Sequence, residues 1–117
     1  MIRFILAAVA VVSYPLLVDH VHDGDTFTGF IAIRPGLVET VTVRLPCGNA
    51  AELKADGGIA ALDALRAALD AGNGTLALDT TWAKEKYGRL LASPYRVQRD
   101  GGRGDICAEL RDGGWVQ

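Results

Sequence analysis

Between residues 16 and 45 apolar side chains recur with a period of two, and turn chemistry cuts the alternation twice, at Asp23-Gly24 and at Arg34-Pro35-Gly36. Successive side chains of a strand point to opposite faces, so 16–21, 27–33 and 38–45 read as three strands of an antiparallel meander with one face to bury. Beyond it the spacing changes. Over 58–71, Ile59, Leu62, Leu65 and Leu69 recur near one helical face with Asp63, Arg66 and Asp70 off it, and Gly72-Asn73-Gly74 stops the run. Residues 75–80 and 90–97 return to strand character, the second interrupted by Pro94, and 106–111 is a short helix ended by Gly113-Gly114. Five strands with one helix between the third and fourth, and a short C-terminal helix, predict a β-rich α+β fold: a five-stranded OB-fold Greek-key barrel.

A chain of 117 residues, 50% hydrophobic and 22% charged, suffices for one core, and no linker or repeat divides it. The domain is expected over 13–117. Residues 1–12 read as a signal peptide: Arg3, then an apolar run containing the small-x-small pattern Ala8-Val9-Ala10, with a buried first strand as the alternative. The run is too short to span a bilayer. A cleaved leader places the mature protein outside the cytoplasm, secreted or periplasmic, as a monomer with no stable membrane association; an uncleaved one leaves it cytoplasmic. A formal charge of −2 excludes a protein that holds nucleic acid through its overall field, and 7% aromatic residues are too few for an extended base-stacking platform. Cys47 and Cys107 form no CxxC pair, which argues against structural zinc or thioredoxin-type chemistry. Two buried thiols or one disulfide remain, and buried thiols are the expectation.

Three short words carry the chemistry. Asp23-Gly24-Asp25-Thr26 combines turn residues with two carboxylates at a strand start, where Asp25 and Asp23 can reach one cation. Arg44 ends an apolar, Thr-rich strand, and Glu52 follows in a loop with no obvious partner. Lys86-Tyr87-Gly88-Arg89 is a charged segment around a bend. Each alone has a plain reading as a hairpin turn, a snorkelling arginine, a solvated glutamate or a charged hairpin. In this order they supply two arginines able to grip a phosphate, a carboxylate free to act as base and hard oxygen ligands for a cation, the parts of a metal-assisted phosphodiesterase. His20 and His22, at i and i+2 on one strand, offer a weaker zinc alternative.

The order resembles the staphylococcal-nuclease-like (thermonuclease) family. That pattern runs Asp-Gly-Asp-Thr, Arg-Leu-x-Gly-Ile-Asp-x-Pro-Glu, Lys-Tyr-Gly-Arg-x-Leu-Ala, then an apolar helix. The corresponding stretches are Asp23-Gly24-Asp25-Thr26, Arg44-Leu45-Pro46-Cys47-Gly48-Asn49-Ala50-Ala51-Glu52, Lys86-Tyr87-Gly88-Arg89-Leu90-Leu91-Ala92 and Ile106-Cys107-Ala108-Glu109-Leu110. The Arg-to-Glu distance is kept without a gap, and the third word matches fully. The resemblance implies an OB barrel and calcium-dependent hydrolysis of DNA or RNA. It assigns Arg44, Glu52 and Arg89 to catalysis, with Glu52 activating water and the arginines holding the phosphate. Tyr87 and Lys86 border the nucleotide. By the same resemblance Asp25, Asn49 and the Ala50 carbonyl are expected to ligate calcium, with Asp23 in reach of the same cation. The same fold stripped of activity, serving as a nucleic-acid or protein binding module, is the alternative. The chain departs from the pattern at Cys47-Gly48-Asn49-Ala50-Ala51, where the neutral Asn49 amide replaces a second calcium carboxylate and a stiffening proline is lost, so calcium affinity is expected to fall.

Overall fold

The structure is a computed structural model that describes residues 10–70 and 74–117. Most of the expected leader, and the Gly72-Asn73 part of the helix stop, lie outside the described residues. The elements run β1 (Val12–Asp23), β2 (Thr26–Arg34), β3 (Leu37–Arg44), α1 (Gly58–Leu69), β4 (Thr75–Lys84), β5 (Leu90–Val97), β6 (Arg103–Asp105) and α2 (Ile106–Asp112). Neighbouring strands follow the order β3-β2-β1-β4-β5-β6, and β3 also pairs with β5. That pairing is parallel, Val43 to Leu90 and Arg44 to Leu91, and it closes β1 to β5 into a five-stranded mixed barrel of OB type.

Closure depends on β1 serving two neighbours. Its first half, Val12 to Leu16, pairs with β4, and its second half, Leu16 to Asp23, pairs with β2. Register shifts at Val18/His20 and Val21/Asp23 bend the strand between these tasks. At Gly29, opposite Val18, a Cβ would lie 2.8 Å from the Leu17 carbonyl oxygen, so this crossing needs a glycine.

The period-two pattern becomes the core. Phe27 and Ile31 of β2, Val43 of β3, Leu78 of β4 and Leu90 of β5 are buried, and α1 covers one end of the barrel with Ala61, Leu65 and Leu69. The buried stripe of α1 begins at Gly58, so Ile59, expected on the inner face, is 67% exposed. The cause is the close approach of the preceding loop. A Cβ on Gly58 would stand 2.0 Å from the Glu52 carbonyl oxygen and 2.7 Å from that of Leu53. Gly58→Ala must therefore push backbone away from backbone, and it is expected to cost about 2 to 3 kcal/mol in urea denaturation.

Three further expectations are corrected. Pro94 does not break its strand: it is fully buried opposite Leu78, in a gap between the β3 pairing, which ends at Leu91, and the β6 pairing, which begins at Tyr95. A residue without an N–H is tolerated in such a gap. Cys47 and Cys107 are not two thiols but a disulfide, Cα to Cα 5.8 Å, because the fold lays the start of α2 beside the loop after β3. β4 also runs past its expected end to Lys84. A bulge on the way holds Trp82 at φ 66°, with its N–H on Thr80 Oγ1 at 3.0 Å.

Candidate active site

Register decides which side chains meet. Thr26 is opposite Arg44, and Arg44 is opposite Leu91, so the Asp23–Thr26 turn, the end of β3 and the start of β5 converge at one mouth of the barrel. The hairpin between Lys84 and Leu90 overhangs them. Its turn closes with Gly88 N–H on the Glu85 carbonyl at 2.9 Å and Gly88 at φ 84°, a left-handed position that explains the glycine of Lys86-Tyr87-Gly88-Arg89. Between hairpin and mouth lies an open cleft of about 570 Å³, lined among others by Arg44, Asn49, Lys86, Tyr87 and Arg89.

Arg89 is held by a fork. Its Nε donates to Glu85 Oε1 at 3.0 Å, Nη2 to Oε2 at 3.2 Å, and Nη1 to Thr26 Oγ1 at 3.1 Å. Glu85 Oε1 also accepts the Tyr87 and Arg89 backbone N–H groups, each at 3.0 Å, so one carboxylate shapes the turn and aims the guanidinium. The Arg89 hydrogen bond, with these N–H groups, lowers the Glu85 carboxyl from 4.5 to about 2, and Glu85 in turn raises Arg89 above its ordinary value. A depressed folded-state pKa stabilises above the unfolded value and is lost as pH falls through the folded one. In urea denaturation, wild type is therefore expected to exceed Glu85→Gln in stability above about pH 5, with the gap closing toward about pH 2. The exposed Tyr87 ring lies 4.9 Å from Lys86 Nζ and 5.7 Å from the Arg89 guanidinium carbon.

Arg44 faces the loop that follows it. Nη1 donates to the Leu45 and Gly48 carbonyls at 2.6 and 2.8 Å, while Nη2 donates to Asn49 Oδ1 and pairs with Asp25 Oδ2 at 3.5 Å. Asp25 accepts the Thr26 hydroxyl on Oδ1 and the Ala50 N–H on Oδ2, both at 3.0 Å. Partial burial pushes its carboxyl up, but the Ala50 N–H, Asp23, Thr26 and Arg44 together bring it below the usual carboxylate range. Asp23 Oδ1 accepts the Asp25 N–H at 3.0 Å. Burial, then the neighbouring Asp25 carboxylate, push Asp23 up. One turn thus holds two carboxyls whose mutual repulsion a cation would relieve.

In kind, these oxygens fit a hard divalent cation such as calcium. In number the set is short. Asn49 Oδ1 is engaged by Arg44, the Ala50 group that reaches Asp25 is its N–H and not its carbonyl, and the described residues hold no cluster of three His, Cys, Asp or Glu. Glu52 stands apart. Its side chain is exposed, it does not line the cleft, and its backbone carbonyl accepts the Ala55 N–H at 2.9 Å. His20 and His22 pack edge to face with centroids 4.6 Å apart, and His22 Nε2 bonds Thr28 Oγ1 at 2.7 Å.

Comparison with protein-family models and with curated proteins finds no match. Sequence reasoning overlooked two contributors. Glu85 is legible in hindsight as an acid at i, i+4 to Arg89. The other is the C-terminal Gln117, whose pairing with Asn49 left no signal in the letters.

Proposed function

We propose that this protein is a calcium-dependent phosphodiesterase that hydrolyses DNA or RNA in the cleft between the 85–89 hairpin and the loop after β3. The observation that carries the reading is that Arg44 and Arg89, distant in sequence, line one cleft with Lys86, Tyr87 and Asn49, beside the Asp23–Asp25 turn. A phosphodiester entering it meets two guanidinium forks and a lysine, and the exposed Tyr87 ring offers a face to the adjoining nucleotide. Arg89 is already aimed. Asp23 and Asp25, with the Asn49 amide oxygen that now accepts from Arg44, are the residues that would hold calcium beside the Arg44 guanidinium. The chemistry such a cation would supply is positive charge beside the phosphate and a more acidic water. The Glu52 side chain has no hydrogen-bond partner among the described residues, and its carboxylate is the one that would accept the proton of the attacking water.

A second reading has its own support. Arg44 and Asp25 satisfy each other and Glu52 lies off the cleft, as suits a module that binds nucleic acid without cutting it. Plasmid DNA incubated with the protein in calcium or in chelator, beside Glu52→Ala, separates the two. Calcium-dependent cutting that disappears in Glu52→Ala is the expected result. A gel shift with no cutting in either condition would overturn the enzyme in favour of the module. The Cys47–Cys107 disulfide supports an exported protein, since such bonds persist in oxidising compartments. No helix among the described residues is long and apolar enough to cross a membrane.

A further inference from the structure

The loop that occupies Arg44 is secured from outside itself. After β3 ends, residues 45–50 enter no strand or helix, yet they provide three of the four acceptors that Arg44 uses and the N–H that holds Asp25. The C-terminal segment supplies what regular structure does not. After α2 the chain turns back, with Trp115 N–H on the Leu110 carbonyl at 2.8 Å. Gln117 then pairs with Asn49 in both directions, Asn49 N–H to Gln117 O at 2.9 Å and Gln117 N–H to Asn49 O at 3.0 Å. Gly48, at φ 146°, lies so close that a Cβ there would stand 2.8 Å from the Gln117 oxygen. The covalent tie beside this small ladder is Cys47–Cys107, from the loop to the second residue of α2.

We infer that the Cys47–Cys107 disulfide is a redox latch on this loop: oxidised, it holds the loop carbonyls and amide oxygen that orient Arg44 and the Ala50 N–H that holds Asp25, and reduced, it lets the loop and tail part and weakens phosphate binding in the cleft. Cys47 and Cys107 are positioning residues, acting through Arg44. The inference rests on the cleft reading above for its ligand, and on the contacts alone for the loop. The reductant is an external dithiol. Its thiolate attacks the Cys47 sulfur, the less buried of the two, Cys107 leaves as a thiolate and takes a proton, and the second thiol of the dithiol resolves the mixed disulfide. Two electrons and two protons pass to the protein. The dithiol becomes a disulfide, and Cys47 and Cys107 become thiols.

The test compares oxidised protein, protein reduced with dithiothreitol and Cys47→Ser/Cys107→Ser, each at a temperature where the barrel is folded. Amide exchange of Asn49 and Ala50 is read by NMR against that of Ile31 and Leu78, and affinity for a short single-stranded DNA is read by titration. Reduction is expected to speed exchange at Asn49 and Ala50 at least tenfold with Ile31 and Leu78 unchanged, and to weaken oligonucleotide binding by about tenfold, reversed on reoxidation. The double variant should match the reduced form and ignore dithiothreitol. Unchanged exchange at Asn49 and Ala50, or equal acceleration at all four amides, would overturn the latch. Selective loosening of the loop in a protein that binds oligonucleotide in neither state would uphold the latch and overturn the nucleic-acid reading of the cleft.

Discussion

Replacing Cys47 and Cys107 together by serine is expected to lower the unfolding free energy by about 4 kcal/mol and the melting temperature by on the order of 15 °C. The bond spans 60 residues, and the loop it closes contains α1, β4, β5 and β6. Cutting a tie of that length frees much of the unfolded chain, and the native state gains no comparable freedom because the barrel ladder remains. Two observables separate this cause from lost packing around the buried Cys107. If the unfolded ensemble expands, the urea m-value of the variant rises together with the loss of stability; a packing defect lowers the midpoint at constant m. Against a typical domain stability of about 5 to 15 kcal/mol, the loss leaves the barrel folded at 25 °C, the condition under which the loop can be studied apart from global unfolding. A loss under about 1 kcal/mol would mean that the unfolded chain stays compact without the bond.

What the letters disclose follows from which forces are local. The alternation from Leu16 to Leu45 marks β1 to β3 because one buried face imposes a period of two whatever the partner strand. The helix between β3 and β4 is legible in the same way, but its rotation is not. Whether Ile59 faces in or out depends on the Glu52 and Leu53 carbonyls lying against Gly58, a contact between segments that no periodicity encodes. Pro94 misleads for the converse reason. A proline breaks a strand only where a neighbour needs its N–H, and the gap between the β3 and β6 pairings is a property of the closed barrel. Among the site residues, Arg44 and Arg89 are legible because strand ends and a tight turn put them at one mouth. Asn49 and Ala50 belong to a loop whose path is set by Gln117 and Cys107, far along the chain, so the direction of their polar groups is decided by tertiary structure.

On the proposed function, Arg89→Ala is expected to reduce kcat/KM for DNA cleavage by at least about 100-fold, the usual cost of removing one preoriented donor, with a fall in melting temperature no larger than that of Glu85→Gln. The separation of rate from stability follows from the bonds Glu85 makes. Of the four it accepts, two come from backbone N–H groups of residues 87 and 89, and these survive truncation at Arg89, so the hairpin keeps its shape while the guanidinium is lost. Arg44 offers no such clean test, since its removal also strips acceptors in the 45–50 loop of their donor. Arg89→Lys sharpens the argument. An ammonium restores the charge but cannot occupy both Glu85 oxygens while pointing a parallel donor into the cleft, so oligonucleotide binding should recover more than kcat. If charge alone matters, lysine restores both equally. A loss below about threefold in Arg89→Ala, with the melting temperature held, would mean that the reacting phosphate does not meet this hairpin, and the Arg44 side of the cleft would stand alone as a binding surface.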